Sequence, residues 1–431
     1  MGTRTRRRKA IIRRRIFLSC CCLALAVIIG LAALIIHKAS APSIPSQNTS
    51  SEQKEEIKES FAKVLSTGDI MVHTPQLSGA KLQNGEYDFS AFFKEASEIF
   101  KNYDLNIANL EVTFGGTESG KFDGYPKFNT PDSLADAIKN SGLNFLLTSN
   151  NHSYDTGLYG LKRTAQVLRE KGIEFIGTRE TAENPIYTVK EVNDIKIGMA
   201  NFTYETSGSS SGRKYLNGSV IAEEANNLIS SFSYSHIEDF YLEAEQTILD
   251  MKQKGAEFIV FYMHWGEEYQ LSANTWQKSI AQRLSNLGVD IIIGSHPHVI
   301  QPVQLIHSEG GDHTTICLYS TGNAVSNQRQ EIMDSCPSGH TEDGLFFTYT
   351  LRKYGDEVTL QSIDIIPTWV NKYFLDGGYK YTICPLDNID KYEFNTNTLL
   401  KAQKSLERTK QLVKSGLNEC QKYIGCEETL K

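Results

Sequence analysis

From Phe61 onward, short apolar runs rich in β-branched residues recur, and nearly every one stops abruptly in a polar cluster. The runs are AKVLSTGDIM, LNIANLEV, LNFLLTSNNH, IKIGMANF, FIVFYMHWG, VDIIIGSHPH and TICLYSTGNAV. Amphipathic helical patterns fall between several of them, over 89–101, 132–141, 159–171, 239–254 and 276–287. Gly142, Gly172, Gly255 and Gly288 supply the helix-end signals. This rhythm specifies an α/β fold. In such sheets, ligands gather beyond the carboxyl ends of the strands, which is where the polar clusters stand. Past them, 345–370 reads as an antiparallel hairpin turning at Tyr354-Gly355-Asp356, and 398–425 as an amphipathic helix. The polar, Gly- and Ser-rich stretch 204–236 reads as a long surface loop or insertion, and a lid is the sharper alternative.

The N-terminus sets the expected location. Ile16 to Ile36 is a run of 21 residues without a charge. At 1.5 Å per residue it spans a bilayer core of ~30 Å. Eight basic residues, Arg4 to Arg15, precede it with no acid among them. The positive-inside rule then keeps the N-terminus in the cytoplasm and sends the rest outside. The run is long for a cleaved signal peptide, so an uncleaved, single-pass anchor in the cell membrane is expected. Cys20, Cys21 and Cys22 lie within it, as packing residues or palmitoylation sites. Five cysteines remain beyond it, an odd number, with no zinc-like spacing.

Charge excludes one class of partner. Eight of the 44 basic residues sit in the N-terminal segment, leaving 36 against 51 acidic ones, a net −15 for the remainder. A body that acidic is a poor match for nucleic acid, whose phosphates need clustered Lys and Arg. Hydrophobic residues at 40% and charged residues at 22% are ordinary for a globular chain and exclude wholesale disorder.

The clusters at the strand ends combine carboxylates, amides and imidazoles. Asp69 follows a glycine at a strand end, a place where the backbone turns and the carboxylate points outward. Glu111 ends the apolar strand LNIANL and needs a partner there. Asn151 offers an amide oxygen and His152 an imidazole able to donate a proton. The plainer reading of that pair is an Asx turn opening the next helix. Asp155, three residues on, can orient the His152 ring. His264 closes another strand. His296 and His298 flank Pro297, and in continuing extended geometry both face one side. The pair can bind one metal, bridge two, or simply hydrogen-bond at a strand end. As a set, Asp69, Glu111, Asn151, His264, His296 and His298 suit a divalent ion such as zinc, manganese, iron or magnesium. His73 is ambiguous. His236, His307, His313 and His340 are assigned to solvent. Trp265 and Tyr269 are packing residues or pocket walls. Arg163 is a surface salt bridge or a contact for an anionic substrate.

Six motifs in order now carry a resemblance: GDIM (68–71), NLE (109–111), SNNHSYDTG (149–157), HWGEEY (264–269), GSHPHVIQ (294–301) and YSTGNAV (319–325). Over about 61–370 the chain resembles the CapA family of capsule and poly-γ-glutamate biosynthesis proteins. That family is similar to calcineurin-type metallophosphoesterases. The resemblance implies a four-layer αββα β-sandwich flanked by helices, here preceded by one transmembrane helix. It also implies metal-binding roles for Asp69, bridging Glu111, Asn151, His264, His296 and His298, and a general-acid role for His152. Position 71 is Met where the superfamily places a His ligand, so the first metal position lacks that ligand unless His73 reaches it. The expected organisation is a basic cytoplasmic segment (1–15), a transmembrane signal anchor (16–36), a flexible linker (37–60), the metallophosphoesterase-like domain (61–385) and a C-terminal helical extension (386–431). Three functions are compatible. The first is a membrane-anchored protein making, exporting or attaching an anionic capsule polymer. The second is a metal-dependent phosphoester hydrolase. The third is a non-catalytic scaffold among synthase subunits.

Overall fold

The computed structural model describes residues 58–206, 213–426 and 429–430. The expected transmembrane anchor and its basic flank lie outside them. Among the described residues, no helix is long and apolar enough to cross a membrane.

In chain order the elements begin with β1 (Glu59–Ile70), α1 (Thr74–Ala80), α2 (Ser97–Phe100), β2 (Leu105–Leu110), α3 (Ser133–Ser141), β3 (Phe145–Leu147), α4 (Gly157–Glu170) and β4 (Glu174–Ile176). Next come β5 (Tyr187–Val192), β6 (Ile195–Tyr204), β7 (Tyr215–Leu216), β8 (Ser219–Val220), β9 (Ser231–Phe232), α5 (Ile237–Gln253), β10 (Phe258–His264), α6 (Thr275–Asn286) and β11 (Ile291–Ser295). The chain closes with β12 (Val303–His307), β13 (Thr314–Leu318), β14 (Asn323–Val325), β15 (Asp343–Tyr354), β16 (Glu357–Leu375), β17 (Gly378–Pro385) and α7 (Thr396–Ile424).

Two mixed sheets form. One runs β17-β16-β15-β1-β2-β3-β4, with β14 also on β1. The other runs β12-β13-β11-β10-β6-β5, with β9 also on β6. Alternation along each strand explains the layering. Val64, Leu105, Ile107 and Phe145 of the first sheet meet Ile197, Val260, Tyr262 and Ile291 of the second in a core between the sheets. Their neighbours Leu65, Ala108 and Leu146 face the opposite way, onto Leu134 and Ile138 of α3 and Leu168 of α4. Ile259, Phe261 and Ile292 likewise face Phe240 and Ile248 of α5 and Ile280 and Leu284 of α6. The order is therefore helices, sheet, sheet, helices.

Several expectations shift in detail. The helix expected over 89–101 breaks into a 3-10 turn at Ser90–Phe92 and the short α2. Asp88 accepts from Ser90 N at 2.8 Å, and Ser97 Oγ donates to Lys94 O at 3.0 Å. Such local side-chain bonds compete with a continuous helix. The hairpin turns at Gly355-Asp356 as expected, but β16 runs on and adds β17 in a second hairpin. β1 starts at Glu59, two residues inside the segment read as linker. The stretch 204–236 holds a β7–β8 hairpin, and Leu216, Ile221 and Leu228 pack on Leu161 of α4. The five cysteines Cys317, Cys336, Cys384, Cys420 and Cys426 are all free. α7 lays Val413, Leu417 and Cys420 into the core between the sheets. Its Arg408 pairs with Asp343, Nη2 to Oδ1 at 2.6 Å.

Candidate metal centre

The first sheet delivers Asp69 at the end of β1, Glu111 just past β2 and Asn151 just past β3. The second delivers His264 at the end of β10 and His296 and His298 just past β11. All six are buried, and they converge in the crevice at the carboxyl ends of the parallel strands. A close backbone approach shapes its floor. Asp69 N donates to Gly322 O at 3.2 Å, and a Cβ on Gly68 would fall 1.8 Å from that oxygen. Glycine is required at 68 for that reason.

Three clusters of ligand atoms, each within 4.8 Å of one another, interlock here: Glu111 with His264 and His296, Asp69 with Glu111 and His298, and Glu268 with His296 and His298. Glu111 Oε1 lies 3.6 Å from His264 Nε2 and 3.8 Å from His298 Nε2. His264 Nε2 is also 2.8 Å from Asn151 Oδ1. Asn109 Nδ2 donates to Asp69 Oδ1 at 2.8 Å and to Glu111 Oε2 at 3.3 Å. Its own Oδ1 accepts from Asn150 Nδ2 at 3.1 Å. An amide chain thus aims both carboxylates.

His296 and His298 are not extended, contrary to expectation. Both adopt the left-handed region, with φ of 95° and 56°. That conformation is strained for a non-glycine residue and recurs at functional sites. It sets the two rings 5.9 Å apart between centroids. His296 N donates to Asp69 Oδ2 at 3.4 Å, tying the loop back to β1.

Burial governs the protonation states. It drives the Glu111 carboxyl well above the usual carboxylate range, and the nearby Asp69 charge adds to the rise. It pulls His264 and His296 well below the ordinary imidazole value, helped by neighbouring histidines. Burial also opposes charge on His298, but the hydrogen bond and charge of Asp69 outweigh it, and the net shift is upward. Two buried atoms here have no hydrogen-bond partner, Glu111 Oε1 and His296 Nδ1. An orphaned buried polar atom costs about 1–3 kcal/mol, and a cation between them would remove that cost. Oxygen and imidazole donors in this number fit a hard-to-intermediate divalent ion.

His152 stands beside the cluster, with Nδ1 2.7 Å from Asp155 Oδ2. Asp155 Oδ2 also accepts from Phe128 N at 2.7 Å. Asp155, read from its spacing as a residue able to orient this ring, thus stands within hydrogen-bond distance of it. Asn217, at the turn between β7 and β8, reaches to 3.4 Å from His152 Nδ1. The insertion thus covers the edge of the site.

Other candidates fall elsewhere. Met71 is buried in the core outside the first sheet. His73 Nδ1 is occupied by Gln76 and by Asn327 N, both at 3.2 Å, and His73 joins none of the three clusters. Trp265 is packing, its Nε1 donating to Tyr319 O at 3.0 Å, whereas the Tyr269 ring lies 6.3 Å from that of His298. Arg163 pairs with Asp132 through two bonds of 2.7 and 2.8 Å. His236 and His307 are exposed, and His313 and His340 are half-buried. The sequence did not single out Glu268, Asn109 or Asn323. The last two lie inside strand-end clusters, but only the packed structure reveals their partners.

Residues 63–328 match the family described as bacterial capsule synthesis protein PGA_cap. The capsule biosynthesis protein CapA of Bacillus anthracis is 26% identical over 70% of this chain and 65% of its own length. The PGA biosynthesis protein CapA of Bacillus subtilis is 25% identical over 62% of each chain. The match therefore spans less than two thirds of the length of either relative. Solved structures with loose similarity include a calcineurin-like phosphoesterase, YfkN of Bacillus subtilis, at 13% identity and a TM-score of 0.39, covering 82% of this chain and 99% of that one. A phosphatase of Mycoplasma pneumoniae, also at 13% and 0.39, covers 71% of this chain and 93% of its own. With six ordered motifs on one crevice and the matched stretch filling most of the chain, the protein belongs to the bacterial capsule synthesis PGA_cap family.

Proposed function

We propose that this protein is a membrane-anchored, outward-facing component of capsule or poly-γ-glutamate biosynthesis or export, with a divalent metal centre held by Asp69, Glu111, Asn151, His264, His296 and His298. The observation that carries the metal reading is the pair of orphaned buried atoms, Glu111 Oε1 and His296 Nδ1, facing a set of oxygen and imidazole donors. Anchoring rests on the uncharged run 16–36 behind its basic flank. The partners are an anionic polymer or the membrane subunits that make it.

The His152–Asp155 pair favours hydrolysis of a phosphoester at this centre. A bound divalent ion would supply Lewis acidity and lower the pKa of a water molecule. The chain itself positions and moves the proton. Asp155 accepts from Nδ1 of His152, which leaves Nε2 as the nitrogen that exchanges a proton with a leaving group. Asn109 fixes the orientation of Asp69 and Glu111. Burial of all six ligand residues limits the access of bulk water to the centre.

Elemental analysis of the protein, purified without chelator, tests the metal reading. About one or two equivalents of metal in the wild type, lost in Glu111→Ala and His296→Ala, is the expected result. Wild-type protein that stays metal-free after reconstitution with zinc or manganese would remove the hydrolase and leave a scaffold within a synthase assembly.

A further inference from the structure

The segment that leaves β10, residues 265–270, is tied to the loop that carries His296 and His298. Trp265 N donates to Ser295 O at 3.2 Å, and Tyr269 N donates to Pro297 O at 2.8 Å. Gln301 Nε2 donates to Gln270 O at 2.8 Å, and Gln328 Nε2 to the Tyr269 hydroxyl at 3.4 Å. Tyr269 holds φ of 66°, so its backbone is in the left-handed region, as are those of His296 and His298. This segment and the histidine loop are thus two strained stretches sewn together. Glu268 rides on this segment and faces both histidines. Its carboxylate oxygen and a ring nitrogen of each lie within 4.8 Å of one another.

Glu268 differs from every other member of the three clusters in being exposed. Among the described residues, no Lys or Arg forms an ion pair with it. Beneath it, His296 is 3% exposed, and its Nδ1 has no partner. Met71 is buried in the core outside the first sheet and joins none of the three clusters. A thioether is in any case a poor ligand for a hard ion.

We propose that Glu268 is a metal ligand of this centre, closing it from the solvent side and supplying a donor that the Met71 position lacks. The assignment rests on the metal reading above and extends it. It makes the centre asymmetric. The inner ligands are buried and fixed, and the outer one sits where a substrate phosphate or carboxylate would have to enter.

The test is metal titration of the full-length protein with Mn²⁺ and with Co²⁺, comparing wild type, Glu268→Gln, Glu268→Asp and Glu267→Gln. Glu268→Gln should weaken binding by at least about tenfold, the lower bound seen when even a supporting partner of a metal ligand is removed. It should also change the visible absorption of bound Co²⁺, and Glu268→Asp should restore part of both. Glu267→Gln removes the same charge one residue away and should match wild type. Unchanged affinity and an unchanged cobalt spectrum in Glu268→Gln would overturn the assignment while leaving the centre intact. An equal loss in Glu267→Gln would also overturn it, because general charge would then be the cause. A wild type that binds neither ion would overturn both this assignment and the metal reading beneath it.

Discussion

The Nδ1 atom of His298 lies 3.1 Å from the side-chain oxygen of Asn323. The amide nitrogen of Asn323 is spent on three other oxygens, His298 O at 3.3 Å, Gln328 Oε1 at 2.9 Å and Thr341 O at 2.9 Å. Asn323 can therefore present only its oxygen to the ring. Asp69 Oδ2 stands at 3.1 Å from the same Nδ1. Facing two acceptors, that nitrogen carries a hydrogen in the metal-free protein.

A proton balance follows for metal uptake. Glu111 and His298 both hold their protons above the ordinary pH range for their type. A ligating carboxylate must be ionised and a ligating imidazole neutral. Metal loading should therefore release protons from the centre. Affinity should fall as the pH drops. Calorimetric titration in buffers of different ionisation enthalpy measures this directly. Loading without proton release would show that these two groups are not displaced.

His152→Ala should separate chemistry from binding. The ring lies beside the clusters and joins none of them. Metal content should match wild type, while any phosphoesterase rate should drop by about 10²–10⁴-fold, the usual contribution of a general acid. Asp155→Asn should fall between the two. Loss of metal in His152→Ala would place this residue among the ligands instead.

Gly68→Ala should damage fold and site together. The added methyl would meet the Gly322 carbonyl at 1.8 Å and push β1 away from β14. A cost of about 1–3 kcal/mol is the usual range for overpacking, and backbone contact on the far side puts this case at the upper end. Thermal unfolding gives the stability change, and metal content reports the displacement of Asp69. A melting temperature equal to wild type would contradict the close approach.

Arg329→Met should be the most destabilising single change away from the centre. Arg329 and Glu342 are both buried and meet at 2.7 Å, with Trp369 Nε1 donating to the same Glu342 oxygen at 3.1 Å. Removing the cation strands a buried carboxylate, at a cost of about 3–5 kcal/mol. Chemical denaturation checks the value. The double change with Glu342→Leu should recover part of the loss.

The strands and the site were legible in the sequence for one shared reason. A short continuous apolar run records a strand buried on both faces, and an abrupt polar stop marks the strand end that meets the crevice. Val64 and Leu65 illustrate the first point, and Asp69 and His264 the second. The geometry of His296 and His298 was not legible, because a left-handed histidine leaves no mark in composition. Glu268 was hidden for a related reason. Its position is set by the tie from Tyr269 N to Pro297 O, a contact across 28 residues of chain that no local pattern encodes. The segment 89–101 misled because its aromatic spacing suits a helix, while Asp88 and Ser97 favour turns.

The stretch that matches the family ends at residue 328, yet β1 takes its antiparallel neighbour from β15, which begins at Asp343. A fragment trimmed to the matched stretch would leave β1 with a bare edge along Lys63–Ser66, an open template for aggregation. It would also lose α7 and uncover the apolar surface between the sheets. Kinship and foldability thus draw different borders on this chain. The family-matched stretch holds the candidate site, and the segment after it completes the first sheet and the core between the sheets. Expression trials and domain swaps should keep β15, β16 and α7 with the family-matched stretch.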